Sequence, residues 1–183
     1  MKKTILLTAD GFEEVEGLTV VDLLRRAGIS CEIVSLSDRE TVTGSHNICI
    51  RADRGFSTIS PDDLDAVILP GGMPGTTHLA EDERVLALLR AMYGDGKLIA
   101  AICAAPTVLA KAGLLSDRDA TCYPGLEDRL VGARFSDARV VQDGTVITSR
   151  GVGTAIPFAL ALISFLDSKE KADAIAESIV FRL

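Results

Sequence analysis

The chain has 183 residues, of which 48% are hydrophobic and 25% charged, and it carries a formal net charge of −7. At about 150 residues per domain this length predicts one folded domain with a sizeable core, and the balanced composition excludes a disordered chain. Acidic residues outnumber basic ones 26 to 19, which works against nucleic-acid binding by phosphate neutralisation and leaves small molecules or other proteins as expected partners.

The amino terminus, "MKKTILLTADGFEEVEG", places two lysines before an apolar run, but the run stops ahead of Asp10 and is too short for a secretory h-region. It predicts a first strand over residues 4–8. A helix over 15–27 follows, with Leu18, Val21, Leu24 and Ala27 on one apolar face and Gly28 as its stop. Next come a strand over 32–36 and, in "TVTGSHNICI", an inserted β-hairpin turning at Gly44-Ser45. Further strands are predicted over 66–69 and 98–102, and helices over 83–93 and 104–112. In "ARVVQDGTVITSR", Asp143-Gly144 between alternating β formers predicts a tight hairpin. "GVGTAIPFALALISFL" reads as a buried helix, and "SKEKADAIAESIV" as a final amphipathic helix capped by Ser168.

No segment approaches the roughly 20 apolar residues of a membrane span, so no membrane association is expected. Cys31, Cys49, Cys103 and Cys122 are widely spaced with no C-x-x-C pair, a pattern that suits neither a zinc site nor a disulfide scaffold. A reducing cytoplasm is the expected setting, with no metal and no cofactor.

Alternating strands and helices predict an α/β domain around a mostly parallel sheet, in which ligands bind at the carboxyl ends of strands. Three loops fall at such ends: "ADGFEEVEG", "PGGMPGTTH" and "CAAP". The apolar strand 98–102 is expected in the sheet interior, which puts Cys103 mid-edge at a strand-to-helix turn. Such a turn presents a nucleophile, and the helix behind it favours thiolate over thiol and offers N–H groups to an oxyanion. Pro106 suits the first turn of that helix, and Gly71 and Gly72 suit a neighbouring backbone that approaches substrate closely. The bland reading is a buried cysteine packing as a small hydrophobe, which is the expectation for Cys31, Cys49 and Cys122.

A reactive thiol needs a proton partner. His46 lies in the inserted hairpin and His78 on a helix face or surface, so neither is expected to serve. Glu13, Glu14 and Glu16 crowd the start of the first helix, where acids are common because they complement its dipole. Glu16 lies near the inward face. Desolvated beside sulfur it would hold its proton, donate to the sulfur and act as general acid or base.

Taken together in this order, "ADGFEEVEG", "VVDLLRRAGI", "VILPGGMPG", "LIAAICAAPTVLAKAGLL" and "SRGVGTAIPFALALI" closely resemble the ThiJ/PfpI family, in its YajL-like branch. The resemblance implies a flavodoxin-like three-layer sandwich with an added β-hairpin, assembled as a homodimer. It implies Cys103 as nucleophile, Glu16 as its carboxylic partner, Gly72 and Ala104 as oxyanion-binding N–H donors, and Arg26 near the site and the dimer interface. It further implies a deglycase-like hydrolase acting on methylglyoxal or glyoxal adducts of proteins or metabolites, or else a redox-responsive chaperone; a link to thiamine biosynthesis rests on naming alone. Protease-like members carry a histidine directly after the cysteine, where Ala104 stands, so peptidase activity is not expected. Another branch carries a histidine where "TCYPG" has Tyr123, a residue that can orient substrate but is a poor base near neutral pH, so glyoxalase activity relying on that histidine is not expected either. His46 stands where relatives can carry an arginine.

Overall fold

The computed structural model describes residues 2–182. In chain order the elements are β1 (Lys3–Thr8), α1 (Glu14–Arg26), β2 (Ser30–Ser35), β3 (Thr41–Thr43), β4 (Cys49–Arg51), β5 (Arg54–Gly55), β6 (Ala66–Leu69), α2 (Gly75–Glu81) and α3 (Glu83–Gly94). They continue with β7 (Leu98–Ile102), α4 (Pro106–Lys111), β8 (Asp119–Ala120), β9 (Arg134–Phe135), β10 (Val140–Asp143), β11 (Val146–Ser149), α5 (Ala155–Leu166) and α6 (Lys169–Ser178).

Seven strands form one sheet in the order β10-β11-β7-β6-β1-β2-β5. Neighbours are parallel except β10, which returns antiparallel on β11 through the Asp143-Gly144 hairpin. Side-chain alternation splits each inner strand between two faces. Leu6, Ile68, Ala100 and Ile102 join α1, α5 and α6 in one apolar layer, while Ile5, Leu7, Val67, Leu69 and Ile99 join α2, α3 and α4 in the other. The result is the flavodoxin-like three-layer sandwich. Because both faces are covered, β6 and β7 are continuous apolar runs.

The inserted hairpin, β3 with β4, is a separate two-stranded ribbon anchored by Val42 and Ile50 against the α1 layer. Its isolation leaves Cys49 exposed, which corrects the expectation of a buried residue; Cys31 and Cys122 are buried as expected. A second correction concerns α1. Leu18 is 37% exposed, whereas Val21, Leu24 and Ala27 are buried as expected, and Val20 and Leu23 widen the buried face. At this first part of the helix Gly17 meets the core in place of Leu18, packing against Leu6 and Phe12 with an added Cβ standing 3.0 Å from Leu6 Cδ2. Helix α2, within the stretch read as a loop, and the two-residue strands β5, β8 and β9 had too short a pattern to be read from periodicity.

No helix among the described residues is long and apolar enough to cross a membrane.

Candidate active site

The chain runs outward from β1 to β2 and then crosses to β6 on the other side of β1. This reversal opens the carboxyl edge between β1 and β6, where an open α/β sheet takes its ligands. The loops after β1, β6 and β7 meet there.

Cys103 follows β7 immediately and takes a φ of +67°. A side chain in this left-handed region costs about 1–2 kcal/mol. The neighbours hold it: the Cys103 N–H donates to the Ser149 carbonyl at 3.0 Å, and its carbonyl accepts from the Tyr123 N–H at 2.8 Å. The turn therefore has the strain and side-chain presentation of a nucleophile elbow. The thiol is half-buried, neither open to solvent nor lost in the core.

Glu16 lies in the first turn of α1 and is 0% exposed. Its Oε2 accepts the Gly71 N–H at 2.9 Å. Its Oε1 is buried without a hydrogen-bond partner in the structure, and its carboxyl group is within hydrogen-bonding reach of Cys103. Gly71 is what lets the two groups meet. A Cβ there would stand 2.5 Å from Cys103 Cβ, 2.7 Å from Glu16 Oε2 and 2.9 Å from Cys103 Sγ, closer than packed atoms approach one another. Gly72 is constrained twice, by a φ of +88° and by the Glu13 nitrogen 2.3 Å from its missing Cβ. The backbone N–H groups of Gly72 and Ala104 lie near the Cys103 sulfur and favour its charged form.

The electrostatics depart from the expectation of a thiol lowered by a helix. Burial, then the neighbouring Glu16 carboxylate, push the Cys103 thiol up to about 12. Burial likewise pushes Glu16 up to about 7, against hydrogen bonds from Cys103 and Gly71. Helix α4 is too short and too distant to reverse this, since it begins at Pro106 and ends at Lys111. Cys103 and Glu16 titrate as one unit. At pH values between about 7 and about 12 they share a single proton and a single negative charge, and moving that proton from sulfur to oxygen changes no net charge. The thiolate is then reached by proton transfer inside the pair, with Gly72 and Ala104 N–H groups ready to receive it.

Tyr123 is 51% exposed. Its ring borders the site across Gly151, whose added Cβ would lie 3.4 Å from the ring and 3.8 Å from Glu16 Oε1. Arg26 is not brought to this cluster within the chain. It ends α1, ten residues or about 15 Å of helix beyond Glu16, and pairs with Asp22 at 2.7 Å. His78 sits on α2 with its Nδ1 3.1 Å from the Asp10 carbonyl oxygen. His46 lies beside Glu13 and Glu14. Gly151 was missed by the sequence reading, and its only signal was its place in "SRGVGT".

A strained cysteine paired with a buried acid at the switch edge of a flavodoxin-like sheet defines a class of α/β protein organised around one nucleophile-capable thiol. The chain belongs to the DJ-1/PfpI family, whose pattern it matches over residues 2–165. It is 41% identical to protein DJ-1beta of Drosophila melanogaster over 181 residues, covering 98% of this chain and 97% of that one. The crystal structure of that protein superposes with a TM-score of 0.96 over the whole of both chains. The Parkinson disease protein 7 homolog of Danio rerio is 36% identical over 185 residues, 99% of this chain and 98% of its own. Deglycase PH1704 of Pyrococcus horikoshii is 37% identical over 151 residues, 81% of this chain and 89% of its own.

Proposed function

We propose that this protein is a cysteine-dependent hydrolase that removes methylglyoxal- or glyoxal-derived adducts from proteins or small metabolites. The observation that carries the reading is a buried carboxyl group beside the elbow cysteine, the two brought together by Gly71. Membership of a family that includes a relative named as a deglycase supports it.

Within the shared-proton pair, Glu16 takes the proton and the Cys103 sulfur displaces the amine or thiol being repaired from the adduct carbon that bears the hydroxyl group, the C–S bond forming as the old bond breaks. The amine or thiol being repaired leaves from that carbon with the proton from Glu16. The Glu16 carboxylate then moves a proton from this carbon to the adjacent carbonyl-bearing carbon while the hydroxyl proton passes to the former carbonyl oxygen, turning the thiohemiacetal into a thioester. Water cleaves the thioester, a hydroxy acid departs, and the thiol and carboxyl recover their single shared proton. The Gly72 and Ala104 N–H groups hold the negative charge that develops. Tyr123 covers the mouth and orients the substrate. No cofactor enters this sequence of steps.

The test is hydrolysis of a methylglyoxal hemithioacetal by purified protein. Cys103→Ser is expected to lower turnover by roughly 10³-fold or more, the scale of losing a covalent nucleophile. Hydrolysis at the parent rate by this variant overturns the assignment. Loss-free protection of an aggregating client protein, with no hydrolysis by the parent, would instead favour a redox-responsive chaperone.

The same reading includes a homodimer. Val15 and Leu18 on α1, 50% and 37% exposed, form an apolar patch with Ile48 of the hairpin, 53% exposed. Ile48 is next to α1 because its N–H faces Glu14 Oε1 at 3.4 Å. A second copy of the chain is the occupant that suits this patch. Leu18→Glu is expected to convert a dimer to a monomer in sedimentation while the fold persists. A parent protein that sediments as a monomer at micromolar concentration removes the dimer from the proposal.

A further inference from the structure

Glu13, Glu14, Ser45 and His46 bring four donor atoms together at the junction of α1 and the inserted hairpin. His46 Nδ1 lies 3.1 Å from Glu14 Oε2 and 3.5 Å from Glu13 Oε2. Ser45 Oγ lies 3.3 Å from Glu13 Oε2, 3.4 Å from Glu14 Oε2 and 3.1 Å from His46 Nδ1. The glutamate and histidine donors all fall within 4.8 Å of one another. Donor atoms gathered this closely can move onto one ion, since zinc bonds nitrogen and carboxylate oxygen at about 2.0–2.2 Å.

Two further observations separate this arrangement from a chance group of acids. The Glu14 side chain is 3% exposed, and its other oxygen, Oε1, accepts the His46 and Ile48 N–H groups at 2.8 and 3.4 Å. Its Oε2 is thereby aimed at the cluster by backbone donors, as supporting hydrogen bonds orient metal ligands. The hairpin also leaves room for that carboxylate only because residue 44 is glycine, where a Cβ would stand 2.2 Å from both Glu14 Cδ and Oε1. His46 is 68% exposed along its side chain in the single chain. Two carboxylates and a neutral imidazole suit a borderline divalent ion better than calcium or magnesium, which take oxygen ligands in larger number.

We infer that Glu13, Glu14 and His46 form a zinc site, with Ser45 marking its fourth corner. It is separate from the Cys103 pair and is built across two segments whose ligands are about thirty residues apart, which is why no ligand spacing in the sequence announced it.

The measurement is titration of the metal-free, full-length Cys49→Ser/Cys103→Ser protein with Zn²⁺ by calorimetry. The two serines remove the exposed and half-buried thiols as competing ligands. One ion per chain is expected, and Co²⁺ at the same stoichiometry should give the strong visible absorption of four-coordinate cobalt. His46→Asn and Glu13→Gln, each in that background, are expected to weaken Zn²⁺ binding at least tenfold, with circular dichroism and thermal melting confirming the fold. Absence of stoichiometric Zn²⁺ binding, or binding that neither substitution changes, overturns the site. Neither result bears on hydrolysis, since this protein lacks the Cys103 thiol.

Discussion

Glu16→Gln is expected to abolish turnover while making the protein more stable at neutral pH. Gln is isosteric and still accepts the Gly71 N–H, so the fold keeps its contact, but it can neither hold nor release the proton that the mechanism moves. The stability gain follows from linkage. The folded state raises the Glu16 carboxyl from 4.5 to about 7. Between these values the unfolded chain has lost a proton that the folded chain keeps, so parent stability falls as pH rises from about 4.5 to about 7 and is level above. The full loss corresponds to ~3 kcal/mol. Denaturant melts of parent and variant at pH 5 and pH 8 should show the variant ahead mainly at pH 8. Iodoacetamide alkylation of Cys103 should rise through an inflection near 7 in the parent, and that inflection should vanish in the variant. Equal pH dependence of both stability and alkylation in the two proteins would refute the shared-proton pair.

Gly71→Ala is expected to damage the site more than any other single methyl group. Its Cβ would be driven into Cys103 Cβ, Cys103 Sγ and Glu16 Oε2 at once. Overpacking of this kind costs about 1–3 kcal/mol, a fall of roughly 2–12 °C in Tm for a chain of this size. The retreat of Cys103 from Glu16 should slow its alkylation at pH 7 by more than ~10-fold, the equivalent of about 1.4 kcal/mol. Adding Cys103→Gly to Gly71→Ala removes two of the three clashes and the positive-φ strain, so part of the lost stability should return, a coupling that a double-mutant cycle reads directly. A Gly71→Ala protein with parent Tm and parent alkylation rate would show that the close approach has no consequence.

Much of the fold was legible in local pattern. Strand 98–102 is apolar at every position, as an interior strand covered on both faces must be, and its observed bounds coincide with the expected ones. Asp143-Gly144 specified its hairpin because few other pairs adopt that turn. Cys103 was legible as a candidate because a lone polar residue ends that apolar strand just before a proline-opened helix. Leu18 was misread because helical periodicity fixes a spacing and not a direction. Val15 and Leu18 continue the apolar repeat, yet where Gly17 packs against Leu6 and Phe12 they lie outward, while Val21, Leu24 and Ala27 stay buried. The thiol's elevated pKa was misread for a related reason. A helix behind a cysteine can be seen in sequence, and Glu16 was expected beside the sulfur, whereas the depth of burial that raises the thiol cannot be read there.

By itself the sequence determined the order of strands and helices, the edge on which the loops gather and the residue at the elbow, because these follow from residue periodicity, turn chemistry and the directionality of a parallel sheet. Only the tertiary structure decided that Leu18 turns outward, that Gly71 lets sulfur and carboxyl share one proton, and that Glu13 and Glu14 meet His46. Each of these depends on distances between segments remote in the chain, and distance between remote segments is set by packing, which no local pattern encodes.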